Sequence, residues 1–148
     1  MMRYILNKIL IVFFLGLSLS LAGQENITWT TLADVQFEQE YSPDSGLSHD
    51  KANFGDIVKS FEGEEVIIQG YVIPLDAMGI SYALSRNPNS SCFFCGGAGP
   101  ETVISLQLKP DALRRYKMDA YKSFKGALQL NETNASQFTY VLLNAEPI

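Results

Sequence analysis

Two strand-forming runs in this chain each carry a glycine at their middle, and that pairing limits the folds open to it. Residues 66–73 (Val-Ile-Ile-Gln-Gly-Tyr-Val-Ile) surround Gly70 and stop at Pro74, while residues 121–130 alternate Phe124, Gly126, Leu128 and Leu130 on one face. An interior glycine packs nothing and loses the most backbone freedom on folding, so in a strand it marks a bulge or a bend. Three further segments keep the same period of two. Ile80, Tyr82 and Leu84 alternate in one, and residues 102–108 place Ile104, Leu106 and Leu108 on one face. The last opens with Phe138, Tyr140 and Leu142 and carries Val141 and Leu143 on its other face. Between the third and fourth strands, Pro110-Asp111 reads as a helix start that turns Leu113 and Tyr116 inward. Five strands, bend glycines in the first and fourth, and a helical insert before the fourth predict a mainly β fold. The architecture expected over residues 64–148 is a five-stranded OB-like Greek-key barrel. A small β-sandwich or another α+β sheet competes with it on the same strand count.

Residues 23–63 read as an N-terminal extension. Ile27-Thr28-Trp29 and Val35-Gln36-Phe37 alternate as short strands, with Trp29 the expected anchor onto the core. Residues 38–52 are polar and rich in turn formers, which predicts a loop. Phe54, Ile57, Val58 and Phe61 then fall at i, i+3, i+4 and i+7, the stripe of one short amphipathic helix. Gly63 is placed to end it.

The first 22 residues have the layout of a secretory signal. Arg3 and Lys8 supply positive charge, residues 9–19 an apolar run, and Ser20-Leu21-Ala22 a small-residue cleavage site. The run is shorter than the roughly 18 apolar residues a membrane span wants. Cleavage after Ala22 is therefore expected, leaving no stable membrane anchor and a periplasmic or secreted chain. Of the 11 basic and 16 acidic residues in the whole sequence, that segment removes two basic and no acidic ones, so nine face 16 and the formal charge is −7. Such a balance disfavours nucleic acid and anionic lipid as partners, because both need a cationic footprint. About 125 residues suffice for one domain with a real core, so no covalent staple is needed on grounds of size. Four Asn-x-Ser/Thr triplets, at Asn26, Asn89, Asn131 and Asn134, are what chance gives in a chain this rich in Asn, Ser and Thr.

Specific chemistry concentrates in one place. The only two cysteines, Cys92 and Cys95, lie in Ser91-Cys92-Phe93-Phe94-Cys95-Gly96-Gly97-Ala98-Gly99-Pro100. Two thiols three positions apart converge on one ion, and zinc or copper(I) suits sulfur donors. A closed zinc site wants four ligands, and His49, Glu101 and Asp76 are the candidates to complete it, Glu101 alone being near in sequence. The same pair could instead form a local disulfide, which in so short a ring removes little unfolded-state entropy. Thiol–disulfide exchange is the third chemistry. It usually places the first cysteine at a helix N-terminus after a strand, and Gly-Gly-Ala-Gly-Pro makes no such helix. The glycine run lacks the Lys-Ser/Thr of a phosphate-binding loop. Phe93 and Phe94 are candidates for a partner-facing apolar tip. No nucleophile motif accompanies the single His49, and no carboxylate pair is placed for acid–base work, so the sequence carries no enzyme signature. Metal binding, redox exchange and a structural clip all remain open at the loop.

Several stretches resemble a family of small exported proteins of the Bacteroidetes type. The likeness runs through Gly-Tyr-Val-Ile-Pro-Leu-Asp at 70–76, Ser-Tyr-Ala-Leu-Ser at 81–85 and Cys-Phe-Phe-Cys-Gly-Gly-Ala-Gly-Pro-Glu at 92–101. It continues through Phe-Lys-Gly-Ala-Leu-Gln-Leu-Asn at 124–131 and Tyr-Val-Leu-Leu-Asn-Ala-Glu at 140–146. This layout is similar to that of a broader envelope family of OB-like domains of unknown function. The resemblance implies an OB-like periplasmic protein, and the genes that neighbour some members imply metal handling beside a transporter or other envelope protein. Many members of the broader family carry a Cys and a His in the equivalent loop, where this chain has a second Cys.

Overall fold

The computed structural model describes residues 23–42, 46–89, 98–132 and 137–148. The chain runs through β1 (Glu25–Asn26), α1 (Trp29–Leu32), β2 (Val35–Ser42), β3 (Leu47–Phe54), α2 (Asp56–Lys59), β4 (Glu65–Pro74) and β5 (Tyr82–Ser85). A 3-10 turn (Pro100–Thr102), β6 (Val103–Leu108), a second 3-10 turn (Pro110–Ala112), β7 (Tyr121–Leu130) and β8 (Tyr140–Pro147) follow. Strands β4, β5, β6, β8 and β7 hydrogen-bond in that order, and β4 pairs again with β7 to close a five-stranded barrel. The β6–β8 pairing is parallel and the other four are antiparallel. With the barrel strands counted from β4, the order is one-two-three-five-four, that of an OB-like barrel.

β4 makes closure possible by changing partners along its length. Glu65 through Tyr71 pair with β7, and Tyr71 through Pro74 pair with β5. The two expected bend glycines sit where neighbouring backbones press closest. A Cβ on Gly70 would stand 2.6 Å from the Ser85 carbonyl oxygen and 2.9 Å from the Trp29 ring. One on Gly126 would stand 2.6 Å from the Leu143 carbonyl oxygen, beside the register shift between Lys125 and Ala127. Any side chain at either position would have to push backbone aside.

Alternation delivers the core as the sequence implies. Val66, Ile68 and Val72 of β4, Leu84 of β5, Ile104 of β6, Phe124 and Leu128 of β7, and Leu142 of β8 are all buried. The N-terminal segment adds Ile27, Leu32, Ala52, Phe54 and Val58 to the same cluster and so covers one end of the barrel. It is tied there by specific bonds. The Ile27 N–H donates to the Ile67 carbonyl at 2.9 Å, Trp29 Nε1 to the Gln69 carbonyl at 2.8 Å, and the Tyr140 hydroxyl to the Leu32 carbonyl.

Several local expectations for this segment and the connections are corrected. Residues 38–52 are largely strand, since β2 and β3 form an antiparallel hairpin in register from Val35–Phe54 to Ser42–Leu47. Its inner half pairs Val35 with Phe54 and Phe37 with Ala52, but its outer half pairs polar residues, Glu38 with Lys51 and Gln39 with Asp50. A Gln39–Asp50 hydrogen bond and a Lys51–Glu40 ion pair join the two strands there. Cross-strand pairs of that kind support a sheet without any apolar signature. Phe54 therefore belongs to β3, the helix is the single turn α2, and Ile57 is 62% exposed. The Asp34 carboxylate starts that turn by accepting from the Ile57 and Val58 N–H groups at 2.9 and 3.2 Å, a cap supplied from a distant residue. Strand pairing near Trp29 is limited to Glu25 and Asn26, and Trp29 itself opens α1 under a capping box made by Thr28 and Thr31. Ile80 lies outside β5 in an exposed turn. The helical insert is the 3-10 turn Pro110–Ala112, which buries Tyr116 beyond it and leaves Leu113 exposed.

Candidate functional site

The connection from β5 to β6 carries the cysteines. Cys92, Phe93, Phe94 and Cys95 fall in residues 90–97 and lie outside the described residues, but both stems of the connection are described. The stems are joined at their base, where the Arg86 N–H donates to the Thr102 carbonyl at 2.9 Å. Beside that bond, the buried Ser85 hydroxyl accepts from the Asn87 N–H at 3.1 Å. On the trailing stem, the Thr102 N–H and hydroxyl both donate to the Gly99 carbonyl, at 3.0 and 2.8 Å. The 3-10 turn Pro100–Thr102 packs against α1, so this stem also leans on the N-terminal cap.

The leading stem takes a less obvious course. Val72 pairs with Leu84 of β5 on one edge of β4, while on the other edge it bonds the segment entering β7, through Ala120 and Asp119. Asn89 reaches that second edge, where its N–H donates to Asp119 Oδ1 at 2.7 Å. Residues 86–89 therefore carry the chain across the outer face of β4. Ile73, which alternation turns to that outer face, is only 9% exposed. The Asn89 side-chain amide contacts the Met118 sulfur at 3.4 Å, and Met118 is half exposed. Close by, the rings of Tyr71 and Tyr121 pack on each other across β4 and β7 with centroids 4.8 Å apart.

Both faces of β5 are closed. Tyr82 and Leu84 point into the core, and Ala83 and Ser85 are buried on the opposite side. In OB-type barrels the open face of the second and third strands is a common platform for nucleic-acid strands. Here the outward residues of β5, Ala83 and Ser85, are buried, and on β6 Gln107 is exposed.

The remaining candidate ligands are dispersed over the fold. His49 stands opposite Glu40 in the outer half of the β2–β3 hairpin. Glu101 sits in the first turn of the trailing stem with its carboxylate folded back toward Gly99. Asp76 is engaged in the β4–β5 turn, where its carboxylate accepts the Ile80 N–H at 3.2 Å and the Ser81 N–H at 2.5 Å. The Ser81 backbone bond is the main reason its carboxyl is held below the ordinary value, with Ile80 adding and burial opposing. Burial pushes the Tyr140 phenol far up, and the Glu101 and Asp34 carboxylates push it further, so its hydroxyl stays a neutral donor to Leu32. Among the described residues, no group of three or more His, Cys, Asp or Glu side chains is placed to hold a metal. Also among them, no helix is long and apolar enough to cross a membrane.

Asn89, Met118 and Asp119 are the residues that sequence reasoning passed over. The only local hint is that Asp, like Asn, tolerates the left-handed conformation found at Asp119, with φ of 60°. Comparison with protein-family models, curated proteins and solved structures found no match to this chain.

Proposed function

We propose that this chain is an exported, non-catalytic OB-like module whose Cys92/Cys95 loop takes up a soft metal ion, zinc or copper, in the cell envelope. The observation that supports this reading most directly is the fixing of both stems of the loop to the barrel, by the Arg86–Thr102 and Asn89–Asp119 bonds. In sequence, Cys92 follows Asn89 by three residues and Cys95 precedes Gly99 by four, so the cysteine segment is flanked on both sides by hydrogen-bonded stems. Two thiolates supply the soft donors such ions prefer, and His49 and Glu101 are the candidates for further coordination. Phe93 and Phe94 between the thiols would meet a partner, an envelope protein or metal transporter that delivers or receives the ion.

Native mass spectrometry of the mature protein, recovered from its own envelope without added metal or reductant, tests the proposal. The expected result is a zinc or copper adduct that is absent from Cys92→Ser/Cys95→Ser protein. A metal-free mass two hydrogens below that of the reduced chain would instead identify a disulfide and overturn the metal reading.

A further inference from the structure

We infer that the end of the barrel remote from the N-terminal cap docks on an anionic lipid surface, with the β4–β5 turn as the part that enters the lipid. Residues 75–81 form that turn, and its backbone is held by its own bonds. The Leu75 N–H donates to the Ser81 carbonyl at 2.9 Å and the Gly79 N–H to the Asp76 carbonyl at 3.3 Å, while the Asp76 carboxylate accepts the Ile80 N–H at 3.2 Å. Pairing these groups within the turn lowers the cost of taking it out of water. Two large apolar side chains nevertheless stand out from it, Met78 at 70% and Ile80 at 58% exposed.

A basic strap lies beside the turn. The Tyr82 hydroxyl donates to the Gly79 carbonyl at 2.9 Å, lies 3.3 Å from the Arg114 carbonyl and accepts the Tyr116 N–H at 3.2 Å. A Cβ on Gly79 would come within 3.5 Å of Arg115 Cγ, so the stem of that arginine runs along the turn. The strap exposes Leu113, Arg114, Arg115 and Lys117, and residues 112–118 hold no acidic side chain. Among the described residues, none of the three cations is in an ion pair. The carboxylates that border the patch are Asp76, engaged by its own turn, and Asp111.

The formal charge of −7 opposes an anionic surface only if it is spread evenly, and it is not. Residues 23–63 hold eight acidic and two basic side chains, whereas residues 64–148 hold eight and seven. The cap joins the barrel near the start of β4 and the start of β8, at Ile67 and Tyr140, while the turn follows the end of β4. A molecule resting on its turn therefore holds its acidic cap away from the surface. Apolar side chains beside unpaired cations complement anionic headgroups over hydrocarbon. These side chains project from a turn, and a lipid surface receives such a projection where a peptide would want a groove.

Flotation of the mature protein with vesicles tests the inference. The vesicles are phosphatidylcholine alone or with about 30% phosphatidylglycerol, in about 0.05 M and about 0.5 M salt. Flotation is expected with the anionic vesicles in low salt, and little with neutral vesicles or in high salt. Arg114→Gln/Arg115→Gln should weaken partitioning by about 20-fold or more, and Met78→Ser/Ile80→Ser by about 10-fold or more. All four side chains are exposed, so urea midpoints should stay near the parental one. Lys51→Gln/Lys59→Gln removes the same charge from the cap and should leave partitioning within about twofold. A parent that does not float with anionic vesicles would overturn the inference, as would an equal loss in the cap variant or no loss in either patch variant. Sedimentation velocity without lipid covers the other occupant. Self-association that Met78→Ser/Ile80→Ser abolishes, in a protein that ignores vesicles, would give the patch to a second copy of the chain and overturn the lipid reading.

Discussion

The barrel wall and the N-terminal cap bury their apolar side chains in one cluster, yet they are specified in different ways. In the wall, β4 and β7 each run ten residues with inward and outward positions alternating along most of their length, and each pairs along its length with other strands of the barrel. In the cap, two four-residue helices and a two-residue strand are too short to persist alone. Their shapes come from what they touch: α2 starts on the Asp34 carboxylate, α1 ends beneath the Tyr140 hydroxyl, and β1 borrows the edge of β4. The wall is a structure the cap completes, and the cap is a structure the wall induces.

Leu32→Ala puts the largest strain on that contrast. Leu32 is fully buried in a one-turn helix, and its truncation is expected to destabilise the whole protein by about 2–5 kcal/mol in urea unfolding, in a single transition. Two transitions, with the barrel's midpoint unmoved, would show the cap to be a separable unit. Gly126→Ala tests the wall alone. Its new Cβ meets the Leu143 carbonyl at 2.6 Å, so a loss of about 1–3 kcal/mol is expected, and an unchanged midpoint would mean the β7–β8 bulge can widen freely.

The smallest effect concerns pH. Glu146 accepts from Lys109 Nζ at 2.8 Å and lies 3.1 Å from Lys125 Nζ, and these bonds, Lys109 first, hold its carboxyl below the usual value. A carboxylate depressed by folding contributes stability above its unfolded pKa, and that contribution is lost as pH falls through the folded value. Glu146→Gln should therefore flatten the acid limb of the stability profile slightly while leaving its neutral-pH shape intact. Identical acid limbs in parent and variant would remove Glu146 from the account.

The same contrast explains how much could be read in advance. The barrel strands were legible because one buried face imposes a period of two, and Gly70 and Gly126 were legible because only a close backbone approach favours glycine inside a strand. The β2–β3 hairpin was hidden because its outer half is held by polar pairs, and a run such as Glu-Gln-Glu opposite Asp-Lys has no apolar face to announce it. The 54–61 stripe misled because Phe54 and Val58 share a core while standing on a strand and a helix, so their helical spacing coincides with a different geometry. At the candidate site, the cysteines stood out from composition alone, whereas Asn89 and Asp119 gave no signal: 30 residues separate them, and their bond exists only because the fold brings the loop stem to the segment entering β7.

By itself the sequence determined the strands of the wall, the two positions where backbones meet, and the segment that carries the thiols. Each of these follows from local constraints: the side-chain period, the absence of a Cβ, and the spacing of two sulfurs. Tertiary structure alone decided which edge of β4 each neighbour takes, where the cap docks, and which residues hold the stems of the cysteine loop. Those choices depend on register and contact between residues far apart in the chain, and no local pattern encodes the free energy of a pairing whose two halves meet only on folding.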